Sequence, residues 1–152
     1  MTIAVVLASQ LFLHAFGGAW SCAVKLPESA YGPAKQFTES MRIAALPGGQ
    51  WAQVRWSEPR RSGTALVGRF EGSPMWIYDD YWDDGHFYRD LSRAPDAAGN
   101  WRWFDTDDQV HMNPTEGPQT WRRISPTTFT QVYNVTHAGV MHNLGSAVCT
   151  RR

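Results

Sequence analysis

The segment from Tyr78 to Asp90, YDDYWDDGHFYRD, gathers the side chains of this sequence best able to do chemistry: five aspartates, a histidine and five aromatics. Carboxylates this close together can ligate a metal, act as an acid and base pair, or face water from a strand. The metal reading fails on spacing, because an EF-hand-type loop starting at Asp80 needs oxygen ligands where Trp82 and Leu91 stand. A hairpin fits better, since Asp84-Gly85 is a favoured two-residue turn whose positions both tolerate positive φ. That turn predicts a register in which Trp82 opposes Phe87, Asp80 opposes Arg89 and Asp79 opposes Asp90. Side chains alternate between faces along a strand, so Trp76, Tyr78, Asp80, Trp82, Phe87, Arg89 and Leu91 are expected to share one face. The other face takes Asp79, Tyr81, His86, Tyr88 and Asp90. Two opposed carboxylates closed off from water share a proton, as catalytic pairs do; solvated, they repel weakly. Asp79 and Asp90, with His86 beside them, are therefore candidates for an isomerase or hydrolase acid/base pair. A longer turn would dissolve the pairing.

Elsewhere the chemistry thins out. In DTDDQVHMNPTE, Asp105, Asp107, Gln109, Asn113 and Glu116 fall at calcium-loop positions, but Val110 stands where the sharp turn needs glycine. His86, His111, His137 and His142 lack the i, i+2 or i, i+4 spacing that brings ligands together, so no metal site is expected. The sequence carries no nucleophile elbow, no glycine-rich phosphate loop and no haem-attachment motif, and no cofactor is expected. Of eight tryptophans, the seven after Trp20 exceed what one small core requires. They could fill an interior, line a pocket with arginine and tyrosine supplying polar contacts, or stack on sugars from an exposed sheet. The candidate pocket residues are Trp76, Tyr78, Trp82, Arg89, Trp101, Trp103 and Tyr133, and the candidate ligand is a small, partly apolar molecule.

The elements that must hold these residues read as strands. From Gln50 onward, short aromatic and β-branched runs alternate with turn residues every eight to twelve positions or so. Nine such runs are expected: QWAQVRW, GTALVGRF, MWIYDDYW, HFYRDLSR, NWRWF, VHMN, TWRRI, TFTQVYNV and GVMHNL. They leave no room for the crossovers of a parallel sheet. The one helix is expected at AKQFTESMRIAAL, residues 34–46, where Phe37, Met41, Ile43 and Leu46 could form an apolar stripe. The fold class is all-β, an antiparallel up-and-down barrel with one short N-terminal helix, with a β-sandwich as the alternative.

The first 21 residues are apolar and uncharged, with AWS before Cys22 resembling a cleavage site, so an exported, periplasmic or secreted chain is expected, with residues 22–152 as one domain. No membrane span is expected in the mature chain. Two cysteines in an exported protein most simply pair, which would join Cys22 to Cys149 near the two chain ends. Lys+Arg and Asp+Glu both total 14, so electrostatic capture of nucleic acid is not expected. A monomer or small homo-oligomer is expected.

The stretch TWRRISPTTFTQVYNVTHAG resembles bacterial lipocalin-like domains of uncharacterised function, with a strand, a Ser-Pro turn and a long aromatic-bearing strand late in an up-and-down barrel. GGQWAQVRW is similar to the Gly-x-Trp of the first strand of calycin barrels, here Gly49-Gln50-Trp51. The resemblance implies a closed barrel around an apolar cavity and carries no functional residue onto this sequence. The expected function is that of an exported barrel binding a small molecule; the alternatives are the Asp79/Asp90 enzyme and a carbohydrate-binding surface.

Overall fold

The computed structural model describes residues 3–30, 32–93, 95–105, 119–137 and 140–152. In chain order the elements are α1 (Ile3–Phe16), β1 (Gly18–Leu26), β2 (Lys35–Ala45), β3 (Trp51–Glu58), β4 (Arg61–Gly68) and β5 (Trp76–Trp82). They continue with β6 (Phe87–Ser92), β7 (Asn100–Asp105), β8 (Gln119–Ser125), β9 (Thr128–His137) and β10 (Val140–Arg151). Each strand pairs antiparallel with its chain neighbours, and β1 closes onto β10, giving an up-and-down barrel. Eight of the nine expected strands are present; VHMN lies outside the described residues.

Alternation along each strand decides what faces inward. In β3, Ala52, Val54 and Trp56 are buried while Arg55 faces out; in β1 the inward set is Trp20, Cys22 and Val24. About eight strands make a barrel that side chains can just fill, so ten demand large fillers or leave space. Both outcomes occur here, one at each end.

The filled end is closed by α1. Phe12 and Phe16 are fully buried among Trp101, Trp121 and Phe129, with ring centroids 5.2–6.4 Å apart. The exposed carbonyls of the helix's last turn, which lack intrahelical donors, are taken up by the barrel. The Trp20 indole donates to Phe16 O at 2.7 Å, Arg151 Nη2 donates to Gly17 O at 3.0 Å, and Arg123 donates to Ala15 O. Arg123 and Arg151 also lie over the Trp20 ring, at 5.1 and 4.7 Å respectively. The Cys22–Cys149 disulfide joins β1 to β10 across the seam where the barrel closes.

The helix expected at residues 34–46 is instead strand β2. Phe37 and Met41 sit four apart, a spacing that suits one helix face and one strand face equally, and their inward row is Phe37, Glu39, Met41, Ile43. Glu39 interrupts what would otherwise read as apolar alternation. The helix of the fold is α1, formed by the apolar segment read from the sequence as an export signal.

Candidate functional site

The opposite end of the barrel holds a cavity of about 390 Å³. The hairpin from β5 to β6 shapes much of it. Trp82 N donates to His86 O at 2.9 Å and Gly85 N to Trp82 O at 3.1 Å, with Gly85 at φ 90°, so the loop is Asp83-Asp84-Gly85. This is a three-residue turn with glycine in the left-handed position rather than the two-residue turn expected. The extra residue shifts the register by one, so Tyr81 opposes Phe87, Asp80 opposes Tyr88, Asp79 opposes Arg89 and Tyr78 opposes Asp90.

That slip separates the expected carboxylate pair. Asp79 lies on the outer face, gripped by Arg89 through two bonds of 2.6 and 2.7 Å, whereas Asp90 faces the cavity. Asp79 and Asp90 do not face one another, and Arg89 is not a lining residue. His86 sits exposed at the hairpin tip with Nδ1 2.8 Å from Asp84 Oδ1. Of the other expected pocket residues, Tyr78, Trp82 and Tyr133 line the cavity. Trp76, Trp101 and Trp103 are buried at the filled end, where Trp76 meets Trp101 edge-on and Trp103 meets Phe12. Asp105 ends β7, and residues 107, 109, 113 and 116 of the calcium-like stretch lie outside the described residues.

The inward row of β5 brings a different carboxylate into play. Asp80 accepts the indole N–H of Trp56 at Oδ1 and that of Trp82 at Oδ2, both at 2.9 Å. The two rings meet edge-on at 5.4 Å because Gly63, on the intervening strand β4, is the cross-strand partner of both. A Cβ there would fall 2.5 Å from Trp56 Cζ2, so only glycine permits the approach. Arg61, two residues earlier in the same inward row, lies 4.0 Å from the Trp82 ring centroid and pairs with Glu58.

Glu39 projects from β2 into the same cavity. Burial pushes its carboxyl up to about 7, with further upward pressure from Glu58 and Asp80 outweighing the opposing pull of Arg61. Its Oε1 is buried without a protein partner. Burial also raises Asp80, against the two indole hydrogen bonds and Arg61, which lower it. Tyr78 and Tyr133 are held well above the ordinary tyrosine range, chiefly by burial and then by the neighbouring carboxylates. Tyr133 donates to Gln131 Oε1 at 2.8 Å. The floor includes Trp121, 2% exposed, whose indole N–H is buried and unpartnered.

Sequence reasoning missed Glu39, Glu58, Arg61, Asp80 and Trp56 as site residues. A recoverable signal was present in β3 and β4, where Trp56, Glu58, Arg61 and Gly63 fall on one face of a tight hairpin. No tryptophan is among the large exposed apolar residues, so the row of exposed tryptophans expected of a sugar-binding sheet is not there.

No protein-family model and no curated protein matches the sequence. One solved structure decides the fold comparison. The chain resembles Rv2717c from M. tuberculosis. The crystal structure of that protein superposes with a TM-score of 0.69 at 11% sequence identity, covering 95% of this chain and 97% of the other. At that identity the likeness to Rv2717c establishes a shared barrel fold and leaves the site to be argued from this chain's own residues. Among the described residues no helix is long and apolar enough to cross a membrane.

Proposed function

We propose that this protein is a small-molecule-binding barrel whose ligand enters the end opposite α1. The observation that carries the reading is the roughly 390 Å³ cavity that remains after six buried tryptophans have been placed. It falls within the usual size range of ligand pockets, about 300–1,000 Å³. Its walls match the make-up of such sites, with aromatic and aliphatic surface interrupted by a few convergent polar groups. Val24, Phe37 and Met41 give an apolar flank, and Asp80 is fixed by two indoles so that a ligand meets a carboxylate already in place.

The Cys22–Cys149 disulfide supports work in an oxidising compartment, and with it export to the periplasm or beyond. Cleavage before Cys22 would take Phe12, Phe16 and Trp20 out of the core, so the mass of the mature chain reads directly whether the helix stays.

Native mass spectrometry of the protein purified from its own host tests the binding reading, with Met41→Trp as the cavity-filling control. A co-purified small molecule at unit stoichiometry that the folded variant fails to retain supports it. A folded variant that keeps the molecule places binding elsewhere and ends the reading.

A further inference from the structure

Resting on the reading of the cavity as a ligand site, we infer that its ligand is an organic cation, an ammonium-type group carried on an apolar body. The charge inventory of the walls points that way. Four carboxyl groups face the space: Glu39 from β2, Glu58 from β3, Asp80 from β5 and Asp90 from β6. Among the described lining residues, the cations opposite them are Lys35 and Arg61. Arg61 is already committed to Glu58 and to the Trp82 face, and Lys35 stands exposed at the start of β2. An anionic ligand would meet repulsion from Glu58 and Asp80, and from Glu39 once ionised.

Aromatic surface supplies the second half of cation recognition. Trp56, Trp82, Tyr78 and Tyr88 surround Asp80, and ring faces attract a desolvated cation in addition to the carboxylate's own pull. Independent of charge counting, of the four buried polar atoms without a partner among the described residues, Ser92 Oγ and the Trp103 N–H lie away from the cavity, and the other two belong to residues that line it. Glu39 Oε1 accepts no bond, and the N–H of the almost fully buried Trp121 donates none. Buried groups of this kind are nearly always paired in a functioning state. A ligand with a donor beside its charge and an acceptor elsewhere would satisfy both.

A proton is linked to the event. Below about pH 7 the empty cavity holds Glu39 mostly protonated, because burial and the carboxylates Glu58 and Asp80 oppose its charge and Arg61 only partly relieves it. Tyr78 and Tyr133, raised by the same surroundings, stay neutral and add no charge. A cation beside Glu39 favours the carboxylate, so binding expels its proton and affinity rises with pH.

Isothermal titration calorimetry on the full chain tests this with benzyltrimethylammonium, whose charge does not titrate, its uncharged isostere neopentylbenzene, and phenylacetate. The cation should bind tightest of the three and gain roughly twentyfold in affinity between about pH 5.5 and about pH 7.5. Close to one proton should be released per complex near the lower end of that range. Glu39→Gln, checked for folding by near-ultraviolet circular dichroism, should abolish both the proton release and the pH dependence. Equal or tighter binding of neopentylbenzene or phenylacetate would overturn the inference while leaving the cavity as a ligand site. So would cation binding by the unaltered protein that ignores pH. Failure of all three probes to bind would overturn the inference and count against the cavity as a ligand site as well.

Discussion

At the α1 end, Trp20, Trp101, Trp103 and Trp121 meet Phe12, Phe16 and Phe129 ring against ring; at the other end, Trp56 and Trp82 turn their indole N–H groups onto one carboxylate. The residue types overlap, but the fillers differ. Helix α1 supplies two phenylalanines to the first end, and among the described residues no element supplies an equivalent plug to the second, where glutamate, aspartate and tyrosine occupy the inward rows instead. Burying an aromatic ring is favourable anywhere in the barrel, whereas burying a carboxyl is costly without a partner. The acidic end therefore trades stability for a polarised space, and the aromatic end supplies the stability that tolerates it.

The largest effect that would break this contrast is expected from the plug. Phe16→Ala should lower stability by about 3–5 kcal/mol in urea unfolding, the usual cost of emptying a fully buried aromatic site. A loss under about 1 kcal/mol would show that α1 does not belong to the core.

Next comes the pH response of the acidic end. Glu39 has a folded value of about 7 against an ordinary 4.5, so the unfolded chain ionises first as pH rises. Its contribution is fully present below about pH 4.5 and is lost by the time pH has risen through about 7, a fall on the order of 3 kcal/mol. Urea midpoints measured across that window should decline for the natural chain and decline less for Glu39→Gln. Identical pH profiles would remove Glu39 from the account.

Gly63→Ala sharpens the comparison from the cavity side. The new methyl would press on the Trp56 ring and cost about 1–3 kcal/mol of stability, and by displacing that indole it would also free one oxygen of Asp80. Ligand affinity measured on the folded fraction should drop more than tenfold. The smallest effect on binding is reserved for the outer face. Arg89→Ala strips the partner from Asp79, which is itself buried, and should cost about 1–3 kcal/mol of stability with cavity binding unchanged. A matching loss of binding would mean that the sequence-expected role of Arg89 was right after all.

The barrel from β3 to β10 was legible because short aromatic and β-branched runs alternate with turn signals, and Cys22 and Cys149 were legible as a pair from compartment logic. What escaped did so for specific physical reasons. Strand β2 was disguised by Glu39, a polar residue in an inward row, so the residue that marks the cavity is the one that hid its strand. The site was misread by one position because Asp84-Gly85 serves equally in a two-residue turn and in a three-residue turn with glycine last, and a single residue of register exchanges the faces of β6 relative to β5. Trp101 and Trp103 share a face as expected, but nothing in their own strand says which end of the barrel receives a helix. The apolar N-terminal segment has the composition of an export signal and of a core plug alike, and Phe12, Phe16 and the two arginines that meet its C-terminal carbonyls show what the helix packs against while it is present.

The indole N–H region of a 1H–15N correlation spectrum reads both ends of the barrel at once, since tryptophans sit at each. Titration with benzyltrimethylammonium should shift the assigned signals of Trp56, Trp82 and Trp121 while those of Trp20, Trp101 and Trp103 stay in place. Shifts centred on Trp101 and Trp103, or spread evenly over all eight indoles, would contradict a ligand site confined to the acidic end.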